Sequence, residues 1–299
     1  MTFREDAGLD PSRVQRRGRA AGASGMAIGG GIGGLVLFII AAFLGVDLSS
    51  LGIGTDAGSG VTQADPELQA EMNAACTTGA AANDRVDCRV IGTINSLDAY
   101  WSTAVPAAGA KFVYPDIVLF DSVTSTACGT ASSQTGPFYC PPDQTIYIDT
   151  TFFDVLVRQF GSSDGPLAEM YVVSHEYGHH IQQLLGVFNV ADRGGTGADS
   201  DTVKVELMAD CLAGVWANHA ASTPGEDGTP YLQPLTKQDV QDAIDAARSV
   251  GDDRIMEASQ GYADPDNFTH GTSEQRAESF LAGYRSGSPN SCDFFDVID

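Results

Sequence analysis

Between residues 172 and 181 the chain reads Val-Val-Ser-His-Glu-Tyr-Gly-His-His-Ile. On a helix, residues four apart stack on one face. His175 and His179 can therefore offer two imidazoles to a single metal ion, and Glu176 sits beside them with its carboxylate free to take a proton. That set of residue types suits metal-assisted hydrolysis, with two His holding Zn²⁺ and the Glu serving as base. A five-letter pattern with three fixed positions recurs by chance, and the competing reading is a helix with two surface or core histidines. The surroundings favour a metal. Pro166 can open the helix, Leu167, Met170, Tyr171, Val173, Ser174 and Ile181 give it an apolar face, and Gly186 after Leu184 and Leu185 can close it. Two histidines and an acid buried on such a helix need an ionic partner.

Two histidines leave a catalytic zinc one protein ligand short. Metzincins place a third His six residues after the second with a Gly midway, and here those positions hold Leu185 and Gln182. The other common source is a Glu on a following helix. In the stretch Val205-Glu206-Leu207-Met208-Ala209-Asp210-Cys211, Glu206 has the place of a ligand. Asp210, one turn on, can accept the spare N–H of a ligand His and fix its tautomer. Two ordinary surface acids are the alternative, but Leu207, Met208, Ala209, Leu212, Ala213, Val215 and Trp216 surround them.

His270 precedes Gly-Thr-Ser-Glu-Gln-Arg, a helix start in which Thr272 and Gln275 have capping-box spacing. Two readings stand for it: a donor to the oxyanion of an attacked carbonyl, or a loop histidine that serves packing. Tyr262 and Tyr284 are weaker candidates for the donor role. His180 and His219 read as structural, and Trp101 and Trp216 as core.

The elements that must position these groups form a mainly helical α+β domain with a small sheet. Helices are expected over 66–75, 87–103, 150–160, from Asp199 or Ser200 to about Ala221, 236–249 and 273–283, besides the central one. Strands are expected over 116–123 and 145–149. The second of these, Thr-Ile-Tyr-Ile-Asp, is placed to form a cleft edge along which an extended substrate could pair.

The chain of 299 residues carries 39 acidic and 16 basic residues, a formal net charge of −23. Such acidity argues for solubility and against nucleic acid as a partner. Residues 1–25 hold five arginines and read as a basic, disordered cytoplasmic tail. Residues 26–46 carry no charge, about the length that crosses a ~30 Å hydrocarbon core, and are expected to be a single transmembrane anchor. A cleaved signal peptide is the competing reading, but no A-x-A site closes the run. With arginines only on its N-terminal side, the rest of the chain is expected outside the cytoplasm. Residues 47–65 read as a flexible linker and 66–299 as the catalytic domain. All six cysteines follow the anchor, and disulfides suit an exported domain. Short loops favour Cys76–Cys88 and Cys128–Cys140, leaving Cys211–Cys292.

The segments HEYGHHIQ, ELMADCLAGVWANH and HGTSEQR (270–276), with the layout of basic tail, single anchor, linker and exported domain, resemble the neutral zinc metallopeptidase family of bacterial membrane-anchored proteins. The resemblance implies a zincin-like fold, Zn²⁺ as cofactor, a peptide or protein substrate and a bacterial cell-membrane location. Residue by residue, it assigns His175 and His179 as ligands, Glu176 as base and Glu206 as third ligand. Two rival classes are a catalytically silent zinc-binding envelope scaffold and a zinc hydrolase of a cell-wall amide.

Overall fold

The computed structural model describes residues 3–18, 64–121, 123–132 and 135–298. Its centre is helix α5 (Pro166–Leu185), entered at Pro166 and stopped by Gly186 in the left-handed conformation, φ 84°. Before it come helices α1 (Pro66–Ala75), α2 (Gly79–Asp84), α3 (Val86–Ala107) and α4 (Phe152–Arg158). After it come the single turn α6 (Val187–Val190), then α7 (Asp201–His219), α8 (Lys237–Ser249), α9 (Asp252–Gln260) and α10 (Ser273–Ser286). Side-chain caps start several of them. Ser200 accepts the Val203 N–H, and Thr236 and Thr272 form capping boxes with Asp239 and Gln275. Helix α5 packs against α3, α7 and α8, while α10 lies along α7.

The main sheet has the order β1-β2-β6-β5, from β1 (Gln15–Arg16), β2 (Asp116–Phe120), β5 (Phe138–Cys140) and β6 (Thr145–Asp149). Strands β1, β2 and β6 run parallel, and β5 pairs antiparallel with β6. Alternation along the strands sends Ile117, Leu119, Ile146 and Ile148 into the helical core. Val118, Phe120, Phe138 and Tyr147 face a smaller cluster that includes Ala131 of the hairpin β3 (Val123–Thr126) and β4 (Gly129–Ser132). The expected strand over 116–123 therefore ends at Phe120, and Val123 belongs to a separate two-stranded sheet. Disulfides join Cys76 to Cys88, Cys128 to Cys140 and Cys211 to Cys292. Trp101 and Trp216 are buried, and the Trp216 indole donates to Ser96 Oγ at 3.1 Å.

Two sequence expectations are overturned here. The N-terminal segment, expected as a disordered cytoplasmic tail, is folded onto the domain. Phe3 is fully buried, and Ala7, Leu9 and Val14 are buried with it. Asn83 clasps the Phe3 backbone by two hydrogen bonds, and Arg13 Nε donates to Asp98 Oδ2 at 2.8 Å. Strand β1 extends the sheet, Gln15 opposite Val118 and Arg16 opposite Leu119. The polar composition concealed this because a few apolar residues suffice once a groove exists to receive them. Two glycines shape that groove: a Cβ at Gly79 would overlap the Arg4 carbonyl, and one at Gly92 would lie 2.6 Å from the Phe3 ring.

The second correction concerns the membrane. Arg17 bridges to Ala64, and the Asp65 N–H donates to the Arg16 carbonyl, so both flanks of residues 19–63 meet on one edge of the domain. A single crossing would separate them onto opposite sides. The expected anchor (26–46) and most of the linker (47–65) lie outside the described residues. Among the described residues, no helix is long and apolar enough to cross a membrane. The single transmembrane helix as part of the fold, and the single-pass location that rested on it, are not supported.

Candidate metal centre

Helix periodicity brings His175 and His179 together, their ring centroids 4.7 Å apart. Gly178 between them lets α7 approach closely: a Cβ there would sit 3.0 Å from the Ala209 carbonyl oxygen. At that distance Glu206 reaches both imidazoles, 3.1 Å from Oε2 to His175 Nε2 and 3.5 Å from Oε1 to His179 Nε2. All three residues are buried, and their candidate donor atoms lie within 4.8 Å of one another.

Each ring is oriented through its other nitrogen. His175 Nδ1 meets Asp210 Oδ1 at 2.7 Å, and His179 Nδ1 meets Gln182 Oε1 at 2.9 Å, the Gln182 amide being turned by its own bond to the Val205 carbonyl. A carboxylate and an amide oxygen can only accept, so both Nδ1 atoms carry hydrogen towards them and both Nε2 atoms face the shared point. Two imidazole nitrogens and a carboxylate oxygen, each ring fixed from behind, form a donor set that fits zinc.

The electrostatics agree. Burial pulls His175 down, but the Asp210 and Glu206 carboxylates override it and raise the imidazole to about 10. Glu206 is opposed by burial yet held well below the usual carboxylate range by His179, His270 and His175. Burial lowers His179 to about 4.

Glu176 is buried on the neighbouring strip of α5. Burial raises its carboxyl to about 7, partly offset by His175 and by a hydrogen bond from the Tyr139 backbone. Tyr139 belongs to β5, so β5 is the strand that runs beside Glu176, and it ends the main sheet on that side. The Thr145–Asp149 strand expected at the cleft edge is instead interior, bonded to β2 on one side and β5 on the other. The Tyr139 hydroxyl lies 3.0 Å from His180 Nδ1, and His180 Nε2 donates to the Val113 carbonyl. His180 therefore ties α5 to β5 and to the loop before β2. His219 donates to the Gly287 carbonyl and stacks on Tyr100.

His270 comes to the cluster from the loop before α10. It is buried, and its charge and that of Glu206 shift each other. Asp252, at the start of α9, holds this loop: Oδ2 accepts the backbone N–H groups of Thr269, His270 and Gly271 at 2.6–3.0 Å, and Oδ1 lies 3.1 Å from His270 Nδ1. Burial opposes protonation of His270, while Asp252 and Glu206 favour it and raise its pKa. Tyr262 is 60% exposed, and Tyr284 stacks on Phe280.

Sequence reasoning missed Gln182, Asp252, Tyr139 and Arg276. Arg276 and Gln182 lay inside the quoted motifs, and helical spacing from His179 could have flagged Gln182. Asp252 and Tyr139 act from other elements, and nothing local marks them.

The family model described as "Putative neutral zinc metallopeptidase" matches residues 2–295. The chain belongs to this family. The match begins at residue 2 and so takes in the folded N-terminal segment. An uncharacterized protein of Mycobacterium tuberculosis (strain ATCC 25618 / H37Rv) is 52% identical over 225 residues, 75% of each chain. The uncharacterized protein YpfJ of Escherichia coli (strain K12) is 34% identical over 300 residues, covering 98% of this chain and 96% of its own. No solved structure matches. Family membership implies a zinc metallopeptidase acting on peptides.

Proposed function

We propose that this protein is a zinc-dependent peptidase in which His175, His179 and Glu206 hold the metal and Glu176 is the general base. The observation that carries this reading is the convergence of two oriented Nε2 atoms and a buried carboxylate, with a second buried carboxyl adjacent. When bound there, zinc supplies Lewis acidity, activating water near pH 7 and polarising the scissile carbonyl. Glu176 accepts the proton of the attacking water and delivers it to the leaving amine. Burial favours the protonated form of Glu176 once it has taken that proton, which suits the return step. His270, steadied through Nδ1 by Asp252, offers Nε2–H to the oxyanion. Strand β5, beside Glu176 at the sheet edge, is where an extended peptide would align its backbone.

A zinc-binding scaffold has no use for a buried Glu176, and this favours turnover over the scaffold. The test is cleavage of a diverse peptide mixture by the full chain with zinc, beside Glu176→Gln. The N-terminal segment is part of the folded domain, so the full chain is the right material. Cuts by the wild type alone are expected. A zinc-loaded wild type that cuts no peptide, or a variant that cuts equally, would refute the reading.

A further inference from the structure

We propose that Arg276 is a positioning residue of the metal centre, acting on His175 through Asp210; this rests on the zinc reading above. Asp210 is fully buried, and both its oxygens accept hydrogen bonds. Oδ2 accepts Arg276 Nε at 2.8 Å, and Oδ1 accepts Arg276 Nη2 at 3.0 Å, the Tyr171 hydroxyl and His175 Nδ1–H. The planar fork of a guanidinium fixes the plane of the carboxylate it pairs with. The direction from which Asp210 Oδ1 meets His175 is therefore set by Arg276.

The guanidinium is itself immobilised. Its Nη2 reaches the Tyr171 hydroxyl at 3.1 Å, and its Nη1 reaches the Val250 carbonyl at 3.3 Å. Arg276 on α10 thus joins Asp210 on α7, Tyr171 on α5 and Val250, the C-cap of α8. Close backbone contact holds α10 against α7 so that the reach is right: a Cβ at Gly283 would overlap the Cys211 carbonyl oxygen.

The charge matters as much as the angle. A buried Asp210 with only His175 and Tyr171 as partners would carry an uncompensated anionic charge into the interior, a costly arrangement. Arg276 offsets that charge while leaving the hydrogen bond to Nδ1 in place. A residue that merely glued the helices together would lower stability without changing how the site binds metal.

The experiment uses the full chain as wild type, Arg276→Lys, Arg276→Met, Asp210→Asn and the Asp210→Asn/Arg276→Met double variant. Zinc dissociation constants come from chelator competition, and coordination geometry from the electronic spectrum of the Co²⁺-loaded protein. Arg276→Met is expected to weaken zinc by about 10–100-fold, the cost of losing a group that orients a ligand. Arg276→Lys should recover part of this, since it keeps the charge without the fork. In the Asp210→Asn background, removing Arg276 should cost much less, because the residue it acts through has changed. Wild-type zinc affinity and Co²⁺ spectrum in Arg276→Met would overturn the proposal, as would an undiminished cost in the Asn background. Should Arg276→Met not fold, wild-type affinity and spectrum in Arg276→Lys would overturn it equally. A wild-type chain that binds no zinc removes the zinc reading itself, whereas tight wild-type binding with unaffected variants removes only the role of Arg276.

Discussion

The packing of Phe3 against Gly92 predicts a change of sign that few other contacts could produce. Phe3 is fully buried, and its Cε1 and Cζ atoms occupy the space where a Cβ on Gly92 would lie, at 2.6 and 2.9 Å. Phe3→Ala should cost about 3–5 kcal/mol as a large-to-small core change, with release of the whole segment as the upper limit on the loss. For a domain of this size that is a fall in Tm of about 2–4 °C per kcal/mol. Gly92→Ala alone has two opposed effects. Alanine in a helix interior gains about 1 kcal/mol over glycine, but forcing the ring aside costs about 1–3 kcal/mol. The net effect in the wild type is destabilising. With Phe3 already truncated the clash is gone, the helix gain remains, and Gly92→Ala should become stabilising by up to about 1 kcal/mol. Urea unfolding of the four full-length proteins, disulfides intact, measures the cycle. Additive effects, with Gly92→Ala equally harmful in both backgrounds, would show that the N-terminal segment does not sit in this groove.

Two further outcomes follow from the site. His270→Ala should lower kcat by about 10²–10³-fold, the usual cost of an oxyanion donor, while the zinc dissociation constant stays near wild type; a matching loss of zinc would instead make it a ligand or a packing residue. His180 is held neutral in the fold, its pKa lowered to about 4 by burial, against about 6.5 when unfolded. Its contribution to stability is complete above pH 6.5 and is lost as pH falls from there to about 4, amounting to about 3 kcal/mol. The stability difference between wild type and His180→Gln, followed by urea unfolding from pH 7 to 4, should shrink by that order; a constant difference would refute the assignment.

Much of the candidate site could be read from the chain because the signals that specify it are local. Pro166 and Gly186 bound α5, four-residue spacing puts His175 above His179, and the same spacing pairs Glu206 with Asp210. Caps and helical periodicity act over a few residues, so a linear reading captures them. Burial and hydrogen-bond partners are settled by elements far apart in the chain, and there the reading failed. Phe3 pairs with Asn83, and Arg13 with Asp98, across a long intervening stretch, so an arginine-rich segment passed for a free tail. Thr145–Asp149 has the composition of a strand at any position in a sheet; only pairing with both neighbours made it interior and left β5 beside Glu176. Asp252 and Arg276 look like ordinary surface charges until three backbone N–H groups close on the one and a buried carboxylate meets the other. The residue types and their spacing determined that a metal could be held. Which groups orient the two imidazoles and Glu206, and which strand lies beside Glu176, were decided by tertiary packing, because a buried polar group takes its partners from whichever elements the fold brings within reach.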